Sequence, residues 1–179
     1  MKKIAILILA FFCLEAIHAQ EVQPAKNLKK LPSVDIKTLD GKNFNTKEIS
    51  NDGKPVIISF WATWCKPCIA ELTAIADVYD DWVEETGVKL YAISVDDVKS
   101  VARVAPFVSS KRWDYEVLLD QNKDFQRAMS IADVPFLCIL NGEGEITWQH
   151  TSYAPGSEEE VYHILKKLVE DKKLIEEKE

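Results

Sequence analysis

Residues 56 to 68 read VIISFWATWCKPC, and this stretch decides the fold. Val56 to Trp61 form an apolar run of the kind found in strands that are buried on both faces of a sheet. After the two cysteines, apolar residues recur at three- and four-residue spacing from Ile69 to Val83. Gly87 is a typical helix stop. A buried strand, a cysteine pair and an amphipathic helix are therefore predicted to follow one another.

The flanking segments predict an α/β fold. Lys89 to Val95 is a second apolar strand, and a right-handed crossover through the helix would place it parallel to the first. An Asp-Gly turn at 40–41 predicts a hairpin of two short strands within 33–45. Further on we expect a helix over 98–111 that Pro106 kinks or breaks, a strand over 115–119, a short helix over 124–129, strands over 134–140 and 145–150, and a final helix from Ser157, its N-cap, to about Lys173.

Length and charge bound the class of protein. The chain has 179 residues, which is room for one ordinary domain. Its 47% hydrophobic and 28% charged residues exclude low-complexity and wholly disordered classes. The net charge of -7 would repel phosphate backbones, so nucleic acid is not an expected partner.

The N-terminus predicts export. Two lysines precede an apolar run from Ile4 to Leu14, and the small residue Ala19 offers a cleavage site. We expect a signal peptide over 1–19, a flexible linker over 20–30, a single domain over 31–179, and a periplasmic or otherwise extracytoplasmic location. The apolar run is shorter than the roughly 20 residues that span a bilayer, so an uncleaved anchor is the weaker alternative. Lipid attachment at Cys13 is also weaker, because bulky phenylalanines precede it.

The cysteine pair carries the chemistry. Removal of the signal would leave Cys65, Cys68 and Cys138, an odd number that cannot all pair within the chain. At the start of a helix, the helix dipole and the ammonium of Lys66 favour a thiolate at Cys65, which we predict to be the nucleophile. Cys68 is predicted to be buried and to resolve the mixed disulfide. Pro67 would stiffen the first turn. We expect Cys138 to be an inert core residue.

Metal binding is the main alternative for such a pair. Two cysteines can form half of a zinc site, but the other half needs two more ligands. A second cysteine pair is not present in the sequence, and His150 and His163 are separated from each other. We therefore expect neither a metal nor an organic cofactor.

Residues 60 to 68, FWATWCKPC, resemble the active-site segment of the thioredoxin superfamily, and Val134-Pro135 resembles its cis-proline. The signal peptide, the N-terminal hairpin and an extra helix and strand between Val95 and Asp124 are similar to the exported TlpA/ResA group. The resemblance implies a thioredoxin-like α/β fold: a central mixed β-sheet flanked by helices, with an N-terminal β-hairpin and an inserted helix-strand segment.

The same resemblance implies an activity. It implies thiol-disulfide exchange by a reductase that receives electrons from a membrane dithiol transporter and acts on extracytoplasmic protein disulfides, for example in cytochrome c maturation. Val134 and Pro135 would present backbone groups to a bound substrate strand. Trp64 is expected to be an exposed platform for substrate, beside Pro67.

Glu71 is a further candidate. Ser59 stands where cytosolic thioredoxin has a buried acid, and the exported group resembles this sequence in carrying a glutamate three residues after the second cysteine. Glu71 would accept the proton of Cys68 during resolution. The alternative is a solvated helix residue. Asp96 and Asp97 are interpreted as a solvated strand end rather than catalytic groups.

Three other functions stay open at this point. A thiol oxidase or disulfide isomerase would use the same two cysteines. A copper-delivery protein of this fold usually has three residues between its cysteines, and beyond the signal only Met129 could add a thioether ligand. A peroxidase of the related peroxiredoxin scaffold would place a threonine two or three residues before a single cysteine.

Overall fold

The computed structural model describes residues 29–177. The predicted signal peptide over 1–19 and most of the predicted linker lie outside these residues. Lys29, the first described residue, contacts the sheet: its carbonyl accepts a hydrogen bond from the backbone N–H of Ile146 at 2.8 Å. Lys30 forms an isolated antiparallel bridge with Glu145. Lys29 and Lys30, the two described residues of the predicted linker, thus contact the domain.

Within the described residues the chain forms seven strands and four α-helices. In chain order they are β1 (Asp35–Thr38), β2 (Asn43–Asn45), β3 (Val56–Trp61), α1 (Lys66–Thr86), β4 (Lys89–Ser94), α2 (Val104–Lys111), β5 (Glu116–Leu119), α3 (Asp124–Ala128), β6 (Phe136–Leu140), β7 (Ile146–His150) and α4 (Ser157–Glu176). None of these helices combines the length and the apolar composition that crossing a bilayer requires.

The strands form one mixed sheet in the order β2-β1-β5-β4-β3-β6-β7. β3 is parallel to β4, and β4 is parallel to β5. The hairpin β1–β2 joins the sheet antiparallel to β5, and β6 and β7 are antiparallel on the other side of β3. All six residues of β3 are buried, which explains its apolar composition. The predicted mixed sheet with its hairpin and inserted strand is confirmed.

Helix α1 begins at the cysteine pair and ends where the sequence predicts. Its buried face includes Leu72 and Ile75, which are packed in the core. Gly87 follows the last turn with φ 65°, and its N–H donates to the carbonyl of Val83 at 2.8 Å. Glycine adopts this left-handed conformation without the clash that a Cβ introduces, so it terminates the helix.

Two local predictions were wrong. The segment 98–111 contains a short 3₁₀ turn at Val101–Arg103, and α2 starts only at Val104. Pro106 therefore lies in the first turn of α2, where backbone N–H groups have no partner within the helix, and it does not kink the helix. Ser157 is not the N-cap of α4. Gly156 holds that position with φ 93°, and the Ser157 hydroxyl instead accepts the N–H of Ala154 at 3.2 Å.

Aromatic side chains pack beneath the end of β3 where the cysteine pair follows. The ring of Phe60 lies 5.0 Å from that of Phe125, and the ring of Trp61 lies 5.1 Å from that of Trp113. Both residues of β3 are fully buried. Such contacts fix the strand end at native packing density, so the loop that carries the cysteines starts from a rigid base.

Candidate redox site

The two cysteines lie at the junction of β3 and α1. Cys65 is the N-cap of α1, and Cys68 is in its first turn, with 5.3 Å between their Cα atoms and a disulfide between their sulfurs. Cys65 is 5% exposed and Cys68 is fully buried. Of the two cysteines, only Cys65 reaches the protein surface. This difference is what the predicted roles of nucleophile and resolving thiol require.

The start of α1 favours negative charge at Cys65. Its sulfur accepts a hydrogen bond from the backbone N–H of Cys68 at 3.3 Å. The first turn contains no acidic residue, and the side chains of Lys66 and Pro67 are exposed beside it. The unpaired N–H groups of the helix and the lysine ammonium both stabilise a thiolate relative to a thiol.

The loop before Cys65 is held by Asp96, a residue whose role the sequence did not reveal. Asp96 was interpreted as a solvated strand end, and this was wrong, because it is fully buried. Its Oδ2 accepts the backbone N–H of Thr63 at 2.8 Å and the hydroxyl of Ser94 at 2.9 Å. Its Oδ1 accepts the Thr63 hydroxyl at 2.6 Å. The neighbouring Asp97 is exposed, as expected.

The bond to Asp96 also bears on the peroxidase alternative. Thr63 lies two residues before Cys65, where a peroxidase site would need its threonine hydroxyl free to contact peroxide. That hydroxyl already donates its hydrogen to Asp96. The structure thus gives Thr63 a role in fixing the loop.

The proline loop lies at the same edge of the sheet as the cysteines. The Val134–Pro135 peptide bond is cis, as the sequence predicted. Phe136, the next residue, pairs with Phe60 in the antiparallel ladder between β6 and β3. Continuing this register places Pro135 opposite Trp61, the last residue of β3, next to the start of the cysteine loop. Trp64, at 59% exposure, completes the accessible surface around the dithiol.

Glu71 is buried on the face of α1 that carries Cys68, one helical turn further along. The alternative of a solvated helix residue was wrong. Its Oε1 lies 2.6 Å from Nε2 of His150, which ends β7 and pairs with Leu137 of β6. Within residues 29–177, Oε2 has no hydrogen-bond partner. His150 was not predicted as a site residue, because 79 positions separate it from Glu71. The available signal was its place at the end of the last strand.

Two further residues lie in the core near the site. Ser59 is buried in β3, and its hydroxyl has no hydrogen-bond partner among the described residues. Cys138 is a buried free thiol in β6, as predicted, and burial raises its pKa to about 12. A thiol with so high a pKa stays protonated, so Cys138 is unreactive in the folded protein.

A metal site would need additional ligands close to the cysteines. In the part of the chain that the structure describes, no group of three or more His, Cys, Asp or Glu side chains is placed to hold a metal ion. Glu71 and His150 form a pair only.

The fold and the site together define a class. A dithiol at a strand-helix junction of a mixed sheet, with a cis-proline at the same edge, is the site of a thiol-disulfide oxidoreductase of the thioredoxin fold. The chain belongs to the AhpC/TSA family, which it matches over residues 28–149.

Individual relatives agree with this assignment. The sporulation thiol-disulfide oxidoreductase A of Bacillus subtilis is 29% identical over 148 residues, which are 82% of this chain and 83% of that protein. The thiol-disulfide oxidoreductase ResA of Oceanobacillus iheyensis is 33% identical over 103 residues, 57% of this chain and about half (52%) of that protein. The resemblance to the ResA group is therefore confirmed.

Solved structures show the same fold. A thioredoxin-like protein from Porphyromonas gingivalis is 46% identical with a TM-score of 0.71, covering 79% of this chain and 92% of that one. The crystal structure of StoA from Bacillus subtilis has a TM-score of 0.57 at 24% identity, covering 74% of this chain and 97% of that one. The predicted thioredoxin-like fold is confirmed.

Proposed function

We propose that this oxidoreductase reduces disulfides in extracytoplasmic proteins, for example during cytochrome c maturation. A membrane dithiol donor then reduces the oxidoreductase again. The N-terminal sequence supports export, and the likeness to the ResA group supports the direction. The proposal includes a cleaved signal peptide, an extracytoplasmic client protein and a membrane dithiol donor.

The observation that carries the reductase direction is the buried Glu71 beside Cys68. A disulfide pair is a strong oxidant when its reduced, thiolate form is stabilised. Here the Cys65 sulfur accepts one backbone hydrogen bond, and an acidic side chain is buried one turn from the second sulfur. A carboxylate opposes a second anion in the same low-dielectric site. The hydrogen bond to Cys65 stabilises its thiolate, whereas the buried carboxylate disfavours a thiolate at Cys68. The carboxylate is therefore the feature that favours the disulfide and hence a low reduction potential.

The reaction follows from the exposure of the two sulfurs. The Cys65 thiolate attacks a client disulfide and releases one client sulfur as a thiolate, which takes a proton from water. Cys68 gives its proton to Oε2 of Glu71 and then attacks the Cys65 sulfur of the mixed disulfide. The second client sulfur leaves, and the protein retains the Cys65–Cys68 disulfide. Two electrons have passed to the client, and the donor dithiol returns them to the protein.

The direction is tested by the equilibrium reduction potential of the Cys65–Cys68 pair in defined thiol buffers. A Cys138→Ala variant serves as the matched control against side reactions. We expect a value near or below about -250 mV, in the range of thioredoxin. A value near about -120 mV would be that of a disulfide-introducing oxidant and would overturn the proposal.

Export is tested separately on the full chain in a bacterial host. The mass of the mature protein in the periplasmic or external fraction should correspond to loss of residues 1–19. Full-length protein confined to the cytoplasm would contradict the extracytoplasmic part of the proposal and leave the potential unaffected.

A further inference from the structure

His150 makes a long-range contact with the carboxyl group that the reaction uses. It ends β7, at the edge of the sheet, and its partner Leu137 lies two residues after Pro135. This register places the His150 side chain at the same end of the sheet as the dithiol. Its Nε2 lies 2.6 Å from Oε1 of Glu71, within hydrogen-bonding distance.

The two carboxyl oxygens of Glu71 have different surroundings. Oε1 is occupied by His150, whereas Oε2 is buried and lacks a hydrogen-bond partner within the described part of the chain. A buried polar atom without a partner is costly, and a role in proton transfer is one reason for its presence. With Nε2 carrying the hydrogen, His150 fixes one oxygen and leaves the other available to a proton donor on the same helix face.

Other groups near this carboxyl group are already engaged or lie on its own helix. The hydroxyl of Tyr153, in the loop after β7, donates to Glu158 at 3.2 Å. Burial and the neighbouring Glu158 raise the pKa of Tyr153, and the charge of Glu71 adds to this shift. Cys68 is one turn away on α1. His150 is the group that binds Glu71 directly.

We propose that His150 is a positioning residue that orients the Glu71 carboxyl group so that Oε2 receives the proton of Cys68. The side chain of Glu71 is 2% exposed and that of His150 is 16% exposed, so the pair is shielded from the water that would otherwise compete for the bond. The inference rests on the proposed role of Glu71 in thiol-disulfide exchange.

The chemical step is the resolution of the mixed disulfide. The S–H bond of Cys68 breaks as its proton passes to Oε2 of Glu71, and the resulting thiolate forms a bond to the Cys65 sulfur. The bond between Cys65 and the client sulfur breaks, and the client sulfur leaves with the electron pair as a thiolate, which is protonated by water. His150 takes part in none of these bonds. It affects the rate only through the orientation of the carboxyl group.

The test separates attack by Cys65 from resolution by Cys68. It uses an aromatic disulfide that releases one coloured thiolate in each of these two steps. Reduced protein is mixed with excess 5,5′-dithiobis(2-nitrobenzoate) in a stopped-flow instrument. Attack by Cys65 is a second-order phase that depends on reagent concentration, and resolution by Cys68 is a first-order phase that does not. Neither phase requires a client or a donor, so failure here is distinguishable from failure of the reductase proposal.

Two substitutions at one position provide matched variants. His150→Phe keeps an aromatic ring and removes both ring nitrogens, including the Nε2 that contacts Glu71. His150→Gln keeps an N–H donor at the same number of bonds from Cβ. For His150→Phe we expect the resolution phase to slow by about tenfold or more, as for loss of one hydrogen bond to a charged group, with the attack phase unchanged. His150→Gln should keep the resolution phase within about threefold of the parent.

A Glu71→Gln background tests whether His150 acts through the carboxyl group. There, adding His150→Phe should slow resolution no further. An unchanged resolution phase in His150→Phe would overturn the proposal. So would equal slowing of both phases in both His150 variants, which indicates a structural role, or an equal further loss in the Glu71→Gln background.

Discussion

Asp96 binds Thr63 through both of its carboxyl oxygens, with the backbone N–H at 2.8 Å and the hydroxyl at 2.6 Å. The aspartate follows β4 and the threonine follows β3, two strands that are parallel neighbours. The carboxyl ends of both strands are thus joined two residues before the nucleophilic cysteine. Because the acid is fully buried, these hydrogen bonds are made without competition from water.

Replacing Asp96 with asparagine should destabilise the protein. One acceptor oxygen becomes an amide NH₂, which cannot accept from Thr63, and a buried donor loses its partner. We expect a loss of about 1–3 kcal/mol in the free energy of unfolding, measured by urea denaturation of the oxidised protein. Asp97→Asn, at the exposed neighbouring position, is the matched control and should change stability far less. Equal stability of the two variants would refute this role of Asp96.

Trp64 should act in substrate binding and not in stability. Its side chain is 59% exposed beside the dithiol, so it contributes little to the core. Trp64→Ala should lower kcat/KM for a protein disulfide by about threefold to tenfold, equivalent to roughly 1 kcal/mol of lost contact. The reaction with a small disulfide should be unaffected. Ile175→Ala, at a residue 62% exposed at the end of α4, is the control. A similar loss in both variants would argue against a substrate platform.

The two cysteines should give opposite results when each is replaced by serine. Cys68→Ser leaves the 5% exposed Cys65 able to attack, and the mixed disulfide cannot be resolved. Non-reducing electrophoresis should therefore show a stable adduct with a protein disulfide. Among residues 29–177, Cys65→Ser leaves Cys68 and Cys138, whose thiols are both fully buried, so the domain should form no adduct. An adduct through Cys68 would reverse the assigned roles.

Cys138 should make the protein less stable at alkaline pH. Burial raises its pKa from 9.0 to about 12, so between these values the folded protein keeps a proton that the unfolded chain loses. Stability is then full below about pH 9 and falls as the pH rises, by up to about 1.4 kcal/mol per pH unit. We expect a shallower fall for Cys138→Ala, measured by urea unfolding of the oxidised protein between about pH 8 and 10.5. Parallel pH profiles for parent and variant would contradict this.

The order of strands and helices could be predicted because its signals are local. The apolar run of β3, the spacing along α1 and the stop at Gly87 are each encoded within a few residues. The errors also had local causes. More than one residue near Ser157 is able to occupy the N-cap of α4. In the structure this position is held by a glycine with positive φ and not by the serine. The 3₁₀ turn at Val101–Arg103 precedes α2, and sequence periodicity does not distinguish such a turn from a longer helix.

The site could be predicted where its residues are close in sequence or where the family resemblance supplies them, as for the cis Val134–Pro135 bond. The cysteine pair and the helical spacing to Glu71 are of the first kind. The contact between Glu71 and His150 depends on the register of β7 against β6, and the burial of Asp96 depends on the neighbouring strand end. A single sequence carries no direct signal for such pairings. Hence the reacting groups could be predicted and the residues that hold them could not.

The bridge between Lys30 and Glu145 lies at the opposite end of β7 from His150. Glu145 precedes β7, and His150, at the other end of that strand, lies at the edge of the sheet that carries the cysteines. At about 3.3 Å per residue, the two ends of β7 are roughly 15 Å apart. Lys29 and Lys30, the first described residues, thus lie on the side of the domain away from the dithiol. A partner coupled directly at Lys29 would therefore be on the opposite side of the sheet from the cysteines.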